Sequence, residues 1–295
     1  SAPCLVAALT RQFPGRSVLV VVDSLKAQEQ FHADLNTWLA VGAGQERSDK
    51  AQTHLGARFF PAWDVLPTEK KLPHVDIVSE RLETLVALSD TQHPQRPIVA
   101  TINALQQLTF GREALAGRVR SLARGETCNP LDLIEWLEEQ GYEPETQVTG
   151  KGELSWRGGI VDLWPLSSPW PVRLEFFGDE LESLREFDPQ TQVSREKIDA
   201  IRIPPAGELG LLQVRPKSWD APDTPAKPAQ VEGLSSLLDH LPDDVLIVLV
   251  EPDALMDQAL RHSQQVEQYS PFHHTWVRFH EVLRERDIVV LEITG

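Results

Sequence analysis

The chain has 295 residues, enough for two or three domains at roughly 100–200 residues each. Its 41% hydrophobic and 24% charged residues exclude wholesale disorder, collagen-like repeats and a coiled coil. The 44 acidic residues outnumber the 28 basic ones, and the formal charge of −16 opposes binding to a phosphate backbone except at a local basic patch.

The first third alternates short β-branched runs with helical patterns: Ser17 to Asp23, Leu25 to Leu39, Ala57 to Pro61, Val75 to Leu88, Ile98 to Thr101 and Ile102 to Leu108. That alternation predicts a parallel sheet with crossover helices. The run Val18 to Val22 is apolar at every position, as expected of a central strand covered on both faces.

Around Gly117 the pattern changes. A helix is predicted over Pro130 to Gln140, with Leu133, Ile134 and Leu137 on one face. Strand candidates follow at Leu154 to Leu163, Val172 to Phe177 and Glu180 to Phe187, and Gly178-Asp179 between the last two signals a hairpin. Pro216, Pro222, Pro225 and Pro228 predict a surface loop over Arg215 to Gln230. The α/β pattern returns with a strand at Val245 to Val250, helices near Asp253 to Gln268 and Thr275 to Arg286, and a strand at Ile288 to Ile293. Either three modules lie in series, or one α/β domain is split by a β-rich insertion; pattern alone leaves both readings open.

The longest apolar runs fall far short of the roughly 18 residues a membrane span requires, so no segment is expected to cross a bilayer. Cys4 and Cys128 offer no disulfide framework and no C-x-x-C spacing, which fits a reducing cytoplasm. The start at Ser1-Ala2-Pro3 carries no signal-peptide pattern, and the chain is expected to be a piece of a longer protein.

The chemistry of nucleotide binding is missing from the sequence. The sole Gly-Lys pair, Gly150-Lys151, is followed by Gly152 instead of Ser or Thr, and Glu145 stands where a phosphate loop needs its first glycine. No G-x-G-x-x-G occurs. Asp179-Glu180 superficially resembles a magnesium-binding acidic pair, but it sits in a hairpin turn signal with no phosphate loop to serve. His262, His273, His274 and His280 lack zinc-ligand spacing, and no G-x-S-x-G elbow appears. No catalytic, cofactor-binding or metal-ligating constellation is expected.

What remains is a surface. Along Pro171 to Phe177, alternation puts Val172, Leu174 and Phe176 on a core face and Arg173, Glu175 and Phe177 on the other. Arg157, before the pair Gly158-Gly159, lies on the neighbouring strand candidate. An exposed ring with guanidinium groups is hot-spot chemistry: a surface that desolvates, plus forks that bind carboxylates. The competing expectation is that Phe177 packs inside the molecule, or that a bulge near Gly159 exchanges the faces.

These residues carry a resemblance. The segments Arg157-Gly158-Gly159-Ile160-Val161-Asp162-Leu163-Trp164-Pro165 and Pro171-Val172-Arg173-Leu174-Glu175-Phe176-Phe177-Gly178-Asp179-Glu180 are similar to a signature shared by UvrB proteins and the transcription-repair coupling factors (Mfd). Phe60-Pro61-Ala62-Trp63-Asp64-Val65-Leu66-Pro67 and Pro73-His74-Val75-Asp76-Ile77 resemble the N-terminal region of the coupling factors instead of UvrB, as does the missing phosphate loop. The resemblance covers about residues 1 to 205 and rests on order and length beyond them.

The resemblance implies an α/β fold: a degenerate RecA/helicase-like parallel-sheet domain in two halves, residues 1–116 and 205–295, with an inserted β-rich (α+β) domain over 117–204. It implies a monomeric, non-catalytic adaptor fragment that binds UvrA through Arg157, Arg173 and Phe177 and needs no cofactor or ATP site. RNA polymerase and DNA would be met by downstream domains outside the 295 residues. Two alternatives remain: a UvrB-type ATP-dependent helicase fragment, and a DNA-damage-binding module using Arg118, Arg120 and Arg124 as a basic strip.

Overall fold

The structure is a computed structural model describing residues 1–41, 56–69, 71–89, 96–213, 233–266 and 270–294. The proline-containing stretch Arg215 to Gln230 lies outside the described residues. The first part of the chain runs α1 (Ala2–Gln12), β1 (Val18–Val22), α2 (Leu25–Val41), β2 (Arg58–Phe60), α3 (Val75–Leu88), β3 (Ile98–Thr101), α4 (Ile102–Gln106) and β4 (Thr109–Phe110). The middle runs α5 (Arg112–Ala116), β5 (Arg120–Ala123), α6 (Pro130–Glu139), β6 (Glu143–Pro144), β7 (Glu153–Arg157), β8 (Ile160–Leu163), β9 (Val172–Phe177), β10 (Glu180–Phe187), β11 (Ser194–Ile198), β12 (Ala200–Ile203) and α7 (Leu209–Gln213). The last part holds β13 (Leu234–Ser235), a 3₁₀ turn at Leu237–His240, β14 (Leu246–Val250), α8 (Pro252–Gln265), α9 (Trp276–Glu285) and β15 (Val289–Ile293).

Two compact units result, one built from Ser1–Lys71, Ala87–Gly111 and Pro225–Gly295, the other from Leu72–Val86 and Arg112–Thr224. The fold is α/β, with a parallel sheet and its helices in one unit and a β-rich sheet in the other.

The first unit carries a parallel sheet in the order β15-β14-β1-β3-β2. β1 is its middle strand, and all five of its residues are buried, as an uninterrupted β-branched run requires. Val18, Val20 and Val22 meet Val6 and Ala7 of α1 and Phe31 and Leu35 of α2 on one face. The buried Gln28 donates its Nε2 to the Val99 carbonyl at 2.8 Å, tying α2 to β3. Periodicity did not mark α1, because Pro3 reads as a breaker; in the first helical turn its missing N–H costs nothing.

The second unit holds a six-stranded sheet, β11-β10-β9-β8-β7-β6, antiparallel except for the β6–β7 pair. α6 starts where Asn129 Oδ1 accepts the backbone N–H groups of Leu131 and Asp132, with Pro130 in the first turn. Its buried Leu133, Ile134 and Leu137 pack with Val161, Leu174 and Leu184 from the inner sheet face. The run Leu154 to Leu163, which reads as one strand candidate, is a hairpin: β7 and β8 are separated by Gly158-Gly159.

Gly159 is required there by close approach. Its carbonyl accepts the Phe176 N–H at 2.7 Å, and a Cβ at this position would stand 2.7 Å from the Phe176 carbonyl oxygen. α3 belongs to the second unit for all but its last two residues. Within that unit the buried Arg81 donates to both carboxylate oxygens of Glu208.

Candidate functional site

Two tight turns define one end of the six-stranded sheet. Gly158-Gly159 joins β7 to β8 and Gly178-Asp179 joins β9 to β10, each turn opening on a glycine with φ of 61°. A left-handed first residue in a two-residue hairpin loop matches the right-handed twist of the flanking strands. The two turns lie side by side because β8 and β9 are antiparallel neighbours, with Ile160 opposite Glu175.

Register lays out the outer face in rows. Ser155, Asp162, Arg173 and Arg185 are successive cross-strand partners on β7, β8, β9 and β10. The next row is Arg157, Ile160, Glu175 and Ser183. Phe177 stands two residues beyond Glu175 at the end of β9, on the same face by alternation. Irregular register occurs along β10, between Leu181 and Ser183 and between Arg185 and Phe187, while β8 and β9 stay in step. The faces therefore do not exchange at Gly159.

Phe177 is 80% exposed, the highest exposure among the large hydrophobic residues described. Arg157 is also exposed, and its Nη2 donates to the Thr146 carbonyl at 2.6 Å. Arg173 is held differently. Its Nε and Nη2 each donate to one carboxylate oxygen of Asp162 at 2.8 Å, and its guanidinium carbon lies 4.9 Å from the centroid of the buried Phe187 ring. These bonds raise the Arg173 pKa above the ordinary arginine value, with partial burial opposing them.

Beside it, Arg185 Nη2 pairs with Glu175 at 3.3 Å, and Ser183 donates to the same Glu175 carboxylate. Directly opposed like charges, Arg173 and Arg185, are thus flanked by one acid each. In these two rows Arg173 and Arg185 are each paired with an acid and Arg157 is not, while Glu180 stands opposite Phe177 in the row beyond. A hollow of about 290 Å³ opens beside them, lined by Thr146, Arg157, Ile160, Asp162, Arg173 and Gln192 among others.

Arg157, Arg173 and Phe177 are therefore brought to one face, with unequal freedom. Ile160, Asp162 and Arg185 share this face but are not among the site residues the sequence points to; alternation along β8 carries the signal for Asp162, and its partner depends on the β8–β9 register.

Other sequence candidates are engaged elsewhere. Arg118 Nη1 donates to Gln140 Oε1, Arg120 Nη2 contacts Cys128 Sγ at 3.1 Å and lies near the Trp136 ring, and Arg124 Nε donates to the Glu182 carbonyl. Asp179 occupies the hairpin turn, its carbonyl accepting the Cys128 N–H. The His262 and His273 rings lie 5.3 Å apart, and burial with the neighbouring imidazoles pushes His273 down to about 4. Among the described residues no group of three metal-ligating side chains forms, and no helix is long and apolar enough to cross a membrane.

Residues 121–209, which hold this face, match the UvrB interaction domain family. The transcription-repair-coupling factor of Escherichia coli (strain K12) is 36% identical over 147 residues, covering 50% of this chain and 13% of that protein. The coupling factor of Haemophilus influenzae is 34% identical over 150 residues, covering 51% and 13% respectively. That of Bacillus subtilis (strain 168) is 32% identical over 150 residues, with the same coverage. The matched part of the chain thus spans only 13% of the length of these relatives. Residues 121–209 thus resemble a UvrB interaction domain, and about half of the chain is similar to a stretch of the transcription-repair coupling factors.

Proposed function

We propose that the chain is a non-catalytic adaptor, acting in the cytoplasm, that recruits UvrA to RNA polymerase stalled at a lesion during nucleotide excision repair. UvrA docks on the outer face of the six-stranded sheet, where Phe177 supplies the desolvating contact, Arg157 an open guanidinium and Arg173 a guanidinium held by Asp162. The observation that carries this reading is the 80% exposure of Phe177 at a two-residue turn beside two arginines of the same face. A ring held by a short turn loses little conformational freedom on binding, so its burial is retained as affinity. In this reading polymerase binding and any ATP-driven motor belong to other segments of the full-length protein, and this chain needs no cofactor. Calorimetric titration of the chain with UvrA tests the reading: saturable binding that weakens in Phe177→Ala supports it, and no heat at any ratio defeats it.

A further inference from the structure

We infer that Asp162 is a positioning residue of the docking surface: it fixes the Arg173 guanidinium as one wall of the hollow, in which Arg157 receives a carboxylate of the docked protein. The inference rests on the adaptor reading above.

Three observations carry it. First, the side edge of the Arg173 fork is already used, since Nε and Nη2 meet the two oxygens of Asp162 at 2.8 Å. The two side chains are only 21% and 15% exposed, so a partner acid that took this edge would strand Asp162 in a partly desolvated site without its counter-charge. Second, Arg157 carries a single hydrogen bond among the described residues, to the Thr146 carbonyl, which leaves most of its fork open to solvent. Third, Arg157, Asp162 and Arg173 line the same hollow of about 290 Å³, with Ile160 as its apolar side.

The division of labour follows. Asp162 cancels the charge of Arg173 and clamps it over the Phe187 ring, turning a rotamer-rich side chain into a fixed surface. The uncancelled charge of the hollow is that of Arg157, so an incoming carboxylate is paired there. A simple count of charges predicts the opposite for Asp162: removing an acid should tighten binding of an acidic partner. In the positioning account, losing Asp162 frees Arg173, whose ordering must then be supplied on docking, and affinity falls.

The test is calorimetric titration of the chain with UvrA for the wild type, Asp162→Ala, Asp162→Asn, Arg173→Ala, the Asp162→Ala/Arg173→Ala double variant and Phe177→Ala, with melting curves for each. Asp162→Ala should weaken binding about tenfold, with Asp162→Asn intermediate because its amide keeps one acceptor. In the Arg173→Ala background the same substitution should change affinity by less than about twofold, which loss of fold would not reproduce. Wild-type or tighter binding by Asp162→Ala, or an undiminished loss in the Arg173→Ala background, overturns the inference while the adaptor reading stands on Phe177→Ala. If Phe177→Ala also binds like the wild type, the adaptor reading itself fails. Should Asp162→Ala melt early, Asp162→Asn with its own Arg173→Ala cycle decides in its place.

Discussion

Arg81 and Glu208 form a two-pronged ion pair closed to solvent, Nε to Oε2 at 2.8 Å and Nη2 to Oε1 at 2.9 Å, with both side chains 0% exposed. The pair stitches α3 to the segment leading into α7, 127 positions later in the chain. Burying either charge alone is far costlier than burying both. Arg81→Ala should therefore destabilise the second unit by about 3–5 kcal/mol in urea denaturation. The double variant Arg81→Met/Glu208→Leu should lose less than either single charge removal; a larger loss would mean the pair contributes through packing instead of charge.

Phe177→Ala should separate binding from stability. Because the ring lies in solvent, folding stability should move by no more than about 0.5 kcal/mol. Affinity for UvrA should drop by about 2 kcal/mol or more. A melting shift as large as the binding loss would place the ring in the folding core.

Gly159→Ala should cost about 1–3 kcal/mol, since the new Cβ would press on the Phe176 carbonyl and push β8 from β9. Chemical denaturation reads the loss. Docking should weaken with it, because the same displacement moves Ile160 away from Glu175.

The first unit should lose stability in mild acid. Burial lowers His262, and burial with neighbouring imidazoles lowers His273 to about 4 from a usual 6.5. The unfolded chain then binds protons that the folded chain refuses, so stability is full above pH 6.5 and falls as pH drops toward 4. His273→Phe should flatten part of that slope in melting curves across this window and change little above pH 7. The same pH dependence in the variant would assign the loss to other groups.

The fold was readable in part from local pattern. Val18 to Val22, apolar at every position, announced a strand covered on both faces, and it is the middle strand of the parallel sheet. Alternation along Val172 to Phe177 put Arg173 and Phe177 on one face, where they stand. The rest depended on distance along the chain. A helical pattern over Val75 to Leu88 cannot say which core it joins; Arg81 and Glu208 decide that from positions no local window spans. The partner of Asp162 is set only by the two-residue turn at Gly158-Gly159 and the β8–β9 register, which bring it beside Arg173. Register is a property of paired strands, and the residues of one strand do not encode it alone.

The placement of β1 bears on how the chain is made. One edge of this strand is met by β3, soon after it in sequence, but the other edge is completed by β14, where Val18 lies against Leu246. At synthesis rates of about 5–20 residues per second, the ribosome takes on the order of 10 s to pass from β3 to β14. During that interval a five-residue valine- and leucine-only edge has no native neighbour, the kind of template on which nascent chains join one another. Slow delivery of a distant strand thus leaves the first unit, and not the hairpin-rich sheet, with an open apolar edge while the chain is being made.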